Sequence, residues 1–582
     1  MKSKMKTAGK NSKALCAVTL NVILALSLRA ADVTIEKPYF RWLFNGFGFQ
    51  HSEANFTALM PDDFRDQRVL KSFAELSPTF ARVYTGFADQ SKEQLDRFAD
   101  YYDLTFRKAG TTLYAVPCAM PLAEGLDADE YAERVAKNLE YLVKVRNCRK
   151  IRYYGLTNEL MSDENWGWFG GGKTEEEKES RRQLFKKFYV ALFHAFRRHG
   201  LDIRLLASDQ SASPNPEAAY SVYPLLDWIK ANMDNYVGVY CTHWYTGGKV
   251  DDLGRWAEYN YCFSNLVQRA LSCKAKRYIL GEFGFSPVGG KQGVMVDDAS
   301  HHLRCPELKC ETVLCKCEMG LAAMNQGAAA CVNWTFVDYP DPFVVEDGDS
   351  PTSRAAYEAG KCGWRMDVKY NKWGAFRWST TDRDYSAYEE MYAMGWLVKL
   401  FRKNATVLAC TFADPMLRGG AVMNPDQTVS IALVNRGAEK TVSVDCSSWK
   451  ARVDGTAALH QPLRRYVYEA GNVPYSPFND LQPMTGTVAA KDGLISALLP
   501  AKSITFLTTD YENRVPKSVD GLCIADGRLS WTATDDPMHC YYRVFRDGKQ
   551  IASTVATSLA VKVDDVAHFA VKSVDKWNNE GK

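Results

Sequence analysis

The chain has 582 residues, which is long for one domain and sufficient for two or three. Apolar residues make up 46% and charged residues 24%, which indicates ordinary globular cores and excludes a disordered chain. Lysine and arginine number 72 against 69 aspartates and glutamates, a net charge of +3. This balance gives no electrostatic basis for nucleic acid or a charged membrane surface as the main partner.

Residues 1–31 have the pattern of a secretory signal peptide. Five lysines precede an apolar run from Ala14 to Leu28, and the small residues Ala30 and Ala31 follow it. The run is too short for a comfortable membrane span, and its flanks match a cleaved export signal. We therefore expect an exported protein, secreted or periplasmic, without a membrane span.

Residues 32–404 alternate short apolar runs with amphipathic helical stretches. Eight strands, each followed by a helical stretch, predict an α/β fold: a (β/α)8 TIM barrel with long loops. The predicted strands are Trp42–Phe49, Phe80–Tyr84, Thr112–Pro117, Ile151–Thr157, Ile203–Ser208, Val237–Thr242, Arg277–Gly281 and Ala330–Phe336.

The pattern changes to all-β beyond the barrel. Residues 405–512 contain β-rich runs with almost no helical period, which predicts a β-sandwich. Residues 513–582 form a third segment, with a Leu-Ser-Trp strand ending at Trp531 and a hairpin over Tyr541–Ile551 that turns at Asp547-Gly548. This last segment resembles a fibronectin type III module.

Two glutamates follow predicted barrel strands. Glu159 ends the motif Tyr-Gly-Leu-Thr-Asn-Glu after the fourth strand, and Glu282 follows Gly281 at the end of the seventh. Reactive groups of (β/α)8 barrels lie at the carboxyl ends of the strands. A single glutamate there is typical of a solvated loop, but two on strands four and seven favour paired-carboxylate chemistry such as glycoside hydrolysis.

These motifs resemble the clan A glycoside hydrolases, which are (β/α)8 retaining β-glycosidases, and are similar to its families 5, 30 and 39. The resemblance covers most of Phe40–Phe401. It implies that Glu159 is the acid/base, that Glu282 is the nucleophile and that Asn158 binds the sugar 2-hydroxyl. The chain departs from many relatives at Leu160, where they have proline after the Asn-Glu pair.

Four further strand-end residues fit the same resemblance. It implies that Arg82 contacts the nucleophile, and a fixed positive charge there would hold Glu282 ionised. It also implies that His243 and Tyr245 position the nucleophile and the sugar, and that Trp334 forms the floor of the sugar-cleaving subsite. Apart from the resemblance, Arg82 also fits a structural salt bridge, and the other three fit packed core residues.

Two other features suggest ligand contacts. The close spacing of Gly46 and Gly48 in the first predicted strand indicates a strand end at which the backbone approaches a ligand. It does not form a phosphate-binding loop, because the third glycine and the following Lys-Ser/Thr are absent. Trp166 and Trp168, in the loop after Glu159, are candidate stacking platforms for the leaving-group sugar; hydrophobic loop anchors are the alternative.

The sequence predicts neither a metal nor another cofactor. Cysteines number 16, and the densest group is Cys305, Cys310, Cys315 and Cys317. A zinc site is one interpretation of this group, but CxxC pairs are missing and the surrounding pattern is helical. We therefore expect buried thiols or local disulfides.

The function that the sequence favours is a retaining β-glycoside hydrolase. Its substrate would be a β-linked polysaccharide or oligosaccharide, cleaved by double displacement. A transglycosylase on the same scaffold and a non-catalytic carbohydrate-binding protein are the alternatives. The sequence leaves the sugar, the linkage and the oligomeric state open.

Overall fold

The structure is a computed structural model, in which part of the chain is described. The described residues are 31–36, 43–51, 67–117, 125–159, 174–218, 221–247, 254–274, 276–286, 306–337, 374–376, 386–448, 459, 461–562 and 565–582. All but the last residue of the predicted signal peptide lies outside them. Among the described helices, none combines the length and the apolar character that crossing a membrane requires.

Eight parallel strands close into a barrel, which confirms the predicted fold class. The eighth strand closes it by pairing with the first, where Cys331 lies opposite Phe47 and Asn333 opposite Phe49. The barrel strands are, in order, Phe47–His51, Phe80–Tyr84, Thr112–Val116, Ile151–Gly155, Arg204–Ser211, Val239–Gly247, Arg277–Ser286 and Cys331–Asn333.

Helices pack around the barrel. Two of them begin with a capping box, in which Ser91 or Thr174 accepts a backbone N–H bond from the third helical residue. The helices are Gln67–Leu76, Lys92–Leu104, Phe106–Ala109, Ala128–Glu140 with a π-helical turn at Tyr141–Val145, Glu175–Arg198, Tyr223–Met233, Arg255–Leu271, Pro306–Asn325 and Glu389–Leu400.

The sixth and seventh barrel strands run further than their sequence pattern predicts. They stay paired from Val239 opposite Arg277 to Gly247 opposite Ser286, with one register shift next to His243. Their additional backbone pairing fixes the residues beyond the barrel rim. His243 and Glu282 therefore lie on paired strands rather than on loops.

Gly46 and Gly48 provide close packing within the protein. A Cβ at Gly48 would lie 1.7 Å from the Phe80 carbonyl oxygen, and one at Gly46 would lie 2.0 Å from Thr79 Oγ1. The φ of Gly46 is +109°, which also favours glycine. The close approach that the sequence predicts is thus to neighbouring protein atoms rather than to a ligand.

An antiparallel-rich sheet follows the barrel. Ile35, Ile431 and Val444 belong to one apolar core between its two halves, so the sheet packs as a sandwich. Its eleven strands are Val33–Glu36, Leu43–Phe44, Ala405–Phe412, Leu417–Met423, Val429–Asn435, Lys440–Asp445, Leu463–Glu469, Gly486–Val488, Ala490–Lys491, Leu494–Leu499 and Ser503–Thr508.

The strand Val33–Glu36 belongs to this sheet, although its sequence position places it with the barrel. It pairs antiparallel with Ala405–Phe412 and parallel with Lys440–Asp445. Alternating burial along the strand, with Val33 and Ile35 fully buried, explains this placement, because one of its faces is apolar.

Two small sheets around Trp531 form the C-terminal module. Asp547 and Gly548 have φ of +50° and +77°, as the predicted hairpin turn requires. Lys71, on the first described helix, is fully buried against the module, with Nζ 4.7 Å from the centre of the Tyr541 ring. The module strands are Cys523–Ala525, Arg528–Ser530, His539–Arg546, Lys549–Thr554, Ser558–Ala560 and Phe569–Asp575.

Candidate active site

A fully buried arginine, Arg82, lies at the centre of the candidate site. Its Nη1 donates to Glu282 Oε2 at 2.6 Å and to Gln50 Oε1 at 2.9 Å. Its Nη2 donates to Asn158 Oδ1 at 2.5 Å and to Asp209 Oδ2 at 3.0 Å. The guanidinium therefore connects side chains from four other barrel strands or the turns that follow them, which its fixed fork of donors makes possible.

The Glu282 carboxylate is almost fully enclosed, at 4% exposure. Oε2 accepts from Arg82 and, at 3.5 Å, from the Tyr84 hydroxyl, while Oε1 accepts a short hydrogen bond from Tyr245. Burial raises the pKa of Glu282, and the positive charges of His243 and Arg82 lower it without outweighing burial. The Arg82 contact lies where the sequence predicts it, and its charge lowers the pKa of Glu282 against the larger effect of burial.

Glu159 is the more accessible carboxylate, with 20% of its side chain exposed. Its Oε1 lies 2.7 Å from His243 Nδ1, and its backbone N–H donates to the Asp209 carbonyl oxygen at 2.9 Å. Its φ of +50° is in the left-handed region, which a non-glycine residue adopts only when its surroundings hold it there. One oxygen each of Glu159 and Glu282 and one His243 nitrogen lie within 4.8 Å of one another.

Asp209, on the fifth strand, is a site residue that the sequence reasoning missed. It is fully buried, and its Oδ1 accepts hydrogen bonds from Tyr114 and, at 3.2 Å, from Cys241 Sγ. Burial disfavours its ionisation, but Arg82 and His243 outweigh burial and lower its pKa. The sequence did hold a signal, because Asp209 directly follows a predicted barrel strand.

His243 joins Asp209 to the candidate acid/base. Its Nε2 lies 2.8 Å from Asp209 Oδ1, and its Nδ1 lies 2.7 Å from Glu159 Oε1 and 3.7 Å from Glu282 Oε2. Burial disfavours the imidazolium, yet the charges of Asp209 and Glu282 raise the pKa of His243 to about 10. This raised pKa favours the imidazolium at neutral pH, and in that form both ring nitrogens are donors.

Trp334, directly after the eighth strand, is incompletely buried and lies next to Tyr84. Its centre is 5.7 Å from that of Tyr84, whose hydroxyl donates to Glu282. The ring therefore has an edge-on aromatic neighbour and some surface left for a ligand. Trp166 and Trp168 lie outside the described residues.

In the part of the chain that the structure describes, two sets of side chains could hold a metal by distance alone: Asp209, Cys241 and His243, and Glu159, His243 and Glu282. Their donor atoms already hydrogen-bond to one another, as Cys241 and His243 do to Asp209. Arg82 adds a positive charge 3.0 Å from Asp209 and 2.6 Å from Glu282. The protein's own cations thus balance these carboxylates.

The cysteine group on Pro306–Asn325 has no link to the site within the described residues. Cys315 and Cys317 are buried and form no disulfide among the described residues, and Cys317 Sγ lies 3.4 Å from Met394 Sδ. Burial raises the pKa of Cys315 to about 12, so it is an inert thiol. Cys305 and the side chain of Cys310 lie outside the part of the chain that the structure describes.

Solved structures similar to this chain are glycoside hydrolases at low identity. A family 30 subfamily 8 xylanase from Clostridium acetobutylicum is 14% identical, covers 82% of this chain and 99% of its own, and has a TM-score of 0.46. An endo-β-1,6-glucanase is 14% identical, covers 83% of this chain and 95% of its own, and has a TM-score of 0.48. A 4-O-α-L-rhamnosyl-β-D-glucuronidase from Fusarium oxysporum is 11% identical, covers 82% of this chain and 100% of its own, and has a TM-score of 0.49. No protein-family model and no curated protein sequence matches the chain.

Proposed function

We propose that the chain is a retaining β-glycoside hydrolase. One oxygen of Glu159 and one of Glu282 lie within 4.8 Å of each other, and this observation carries the proposal. Carboxyl groups of retaining enzymes are about 5–5.5 Å apart, whereas inverting enzymes need about 6.5–9.5 Å to admit a water molecule. The separation supports direct attack by one carboxylate on the sugar.

The environments of the two carboxylates support different roles. Glu282 is enclosed, and Arg82 and Tyr245 fix its orientation. A nucleophile needs a fixed orientation because it must attack one anomeric carbon. Glu159 is more exposed. This suits an acid/base, because it must exchange protons first with the leaving oxygen and then with water. We therefore assign Glu282 as nucleophile and Glu159 as acid/base.

The reaction follows from these positions. Glu282 attacks the anomeric carbon as the glycosidic C–O bond breaks, and Glu159 gives its proton to the departing oxygen. Glu159 then takes a proton from water, whose oxygen attacks the anomeric carbon and releases Glu282. In this proposal Asn158, which shares Arg82 with Glu282, binds the sugar 2-hydroxyl, and Trp334 offers its ring to the sugar face.

The proposed substrate is a β-linked polysaccharide or oligosaccharide, met after export. The signal-like residues 1–31 support the location, and the resemblance of the strand-end motifs to clan A supports the β-linkage. Transfer to a sugar in place of water would use the same covalent intermediate. Product analysis at high acceptor concentration separates transfer from hydrolysis.

A substrate panel with stereochemical analysis tests this function. The full-length protein is incubated with β-linked polysaccharides and aryl β-glycosides, beside Glu282→Gln and the exposed-carboxylate control Glu175→Gln. We expect wild type and Glu175→Gln to hydrolyse one substrate class, with the β-anomer as the first product by NMR, and Glu282→Gln to be inactive. An α-anomer as first product, or full activity in Glu282→Gln, contradicts the proposal.

A further inference from the structure

One residue, Asp209, is connected to both candidate catalytic carboxylates. Through its side chain it accepts from Arg82 at 3.0 Å, and Arg82 donates to Glu282 at 2.6 Å. It also lies 2.8 Å from His243, which lies 2.7 Å from Glu159. A third connection is direct, because the Asp209 carbonyl accepts the Glu159 N–H at 2.9 Å.

Asp209 is itself inaccessible to a substrate. It is fully buried, and both carboxylate oxygens accept hydrogen bonds, Oδ1 from Tyr114, Cys241 and His243 and Oδ2 from Arg82. Any effect on a reaction must therefore pass through the groups that it holds.

The protonation of His243 depends on this arrangement. Both ring nitrogens face carboxylate oxygens, and only the doubly protonated imidazolium donates from both. The charged or titratable groups around the ring are Arg82 on the second strand, Glu159 after the fourth, Asp209 on the fifth, Cys241 and Tyr245 on its own sixth strand and Glu282 on the seventh. Asp209 is the only one of these carboxylates that faces Nε2 among the described residues.

We propose that Asp209 is a positioning residue that keeps His243 doubly protonated and Arg82 in its bridging orientation, and so holds Glu159 and Glu282 in working geometry. This inference rests on the proposed glycoside hydrolysis. Replacing the anion with a neutral isostere removes the charge that favours the imidazolium. His243 then loses one proton within the working pH range, and its contact with Glu159 changes.

The variant Asp209→Asn tests the proposal, with Asp234→Asn as its matched control. Asp234 pairs with Lys276 at 2.6 Å away from the site, so its replacement should leave the pH profile as in wild type. For Asp209→Asn we expect kcat to fall about tenfold or more with a smaller change in KM, as expected for misplaced reacting groups. We also expect the alkaline limb of kcat/KM to move to lower pH, which a loss of stability alone does not produce.

A second readout needs no substrate. NMR of 13C-labelled histidine, with the His243 signal assigned from His243→Gln, should give an imidazolium signal in wild type from pH 6 to 8.5. In Asp209→Asn the same signal should titrate within this range. A wild-type His243 that titrates near its ordinary pKa of about 6.5 overturns the proposal even if the variant does not fold. Unchanged pH profiles in a folded Asp209→Asn do so as well.

The two proposals fail in different ways. If the wild type hydrolyses no glycoside, the proposed function fails, and the NMR arm still decides the role of Asp209 toward His243. If the wild type is active but Asp209→Asn matches it in kcat, pH profile and His243 titration, only the positioning role fails.

Discussion

Arg82 Nη1 donates to Glu282 Oε2 at 2.6 Å inside the barrel, and this contact opposes the effect of burial on the carboxylate. Burial alone would make ionisation of Glu282 less favourable still. The guanidinium thus contributes to setting the pH above which Glu282, the proposed nucleophile, is ionised.

Removing this cation should change the acid side of the pH profile. Because Arg82 lowers the pKa of Glu282, Arg82→Gln should raise that pKa and move the acid limb of kcat/KM to higher pH. Arg82→Lys keeps the charge and should move the limb less. Circular dichroism establishes that both variants are folded, and an acid limb at the wild-type position in a folded Arg82→Gln contradicts this account.

The two carboxylate roles can be separated by the leaving group. Glu282→Ala should be inactive on every glycoside, because no covalent intermediate can form. Glu159→Ala should fail on natural glycosides yet release dinitrophenol, which leaves without a proton. Added azide should speed its second step and give a β-glycosyl azide. An α-glycosyl azide, or equal losses for both variants on both substrate types, contradicts the assignment.

The aromatic ring of Trp334 should contribute to transition-state binding. Its replacement by alanine removes apolar contact with a sugar face, which we expect to weaken binding by roughly 1–3 kcal/mol. That corresponds to about five- to 150-fold in kcat/KM. Trp334→Phe keeps part of the surface and should lose less. A folded Trp334→Ala with wild-type efficiency would place the ring in a purely structural role.

Buried His51 should make the protein sensitive to acid. Neither ring nitrogen hydrogen-bonds to another described residue, and burial lowers the His51 pKa to about 3. The folded state holds the neutral ring, whereas the unfolded chain takes up a proton below its ordinary pKa of about 6.5. The contribution of His51 to stability is therefore lost progressively as pH falls from about 6.5 toward 3.

A stability profile of His51→Phe measures this effect. Near pH 4.5 the linkage amounts to roughly 2–3 kcal/mol, so the variant should gain stability relative to wild type by that order between pH 7.5 and 4.5. Phe73 and Phe336, with ring centres 5.6 and 5.1 Å from that of His51, provide an aromatic environment for the new ring. Parallel denaturation profiles of the two proteins from pH 7.5 to 4.5 would refute this prediction.

Lys71 should be essential to the junction between the barrel and the C-terminal module. It is fully buried, and its Nζ lies 2.8 Å from Glu75 Oε2 and 2.5 Å from Asp480 Oδ1. Lys71→Met would leave the buried Glu75 carboxylate without its cation, whereas Asp480 keeps Arg543 at 3.2 Å. Removing one partner of a buried ion pair destabilises proteins by about 3–5 kcal/mol. Thermal unfolding should report the loss.

The matched control is Lys178→Met at a more exposed helix pair with Glu175. This pair should contribute less than about 1 kcal/mol, because solvent screens it. Similar melting temperatures for Lys71→Met and Lys178→Met would mean that the buried cluster does not stabilise the junction. A large loss only in Lys71→Met supports a module that is fixed to the barrel rather than tethered.

The local sequence was sufficient to predict the barrel and to select the end of it that holds the candidate site. Hydrophobic periods of two and of 3.6 residues alternate along residues 32–404, and this alternation depends only on neighbours in the chain. The rule that reactive groups lie at the carboxyl ends of the strands then selected Glu159 and Glu282, and the resemblance to clan A added Arg82 and His243. Those predictions required no knowledge of contacts across the barrel.

The tertiary structure decided what the charges do to one another. Asp209 and Glu282 are far apart in sequence and are both bound by Arg82, and their pKa values move in opposite directions because burial prevails at Glu282 and the cations prevail at Asp209. It also assigned Val33–Glu36 to the sandwich, through strand pairings with residues about 400 positions away along the chain. Desolvation and charge interactions depend on distances in space, which a linear pattern of residues does not contain.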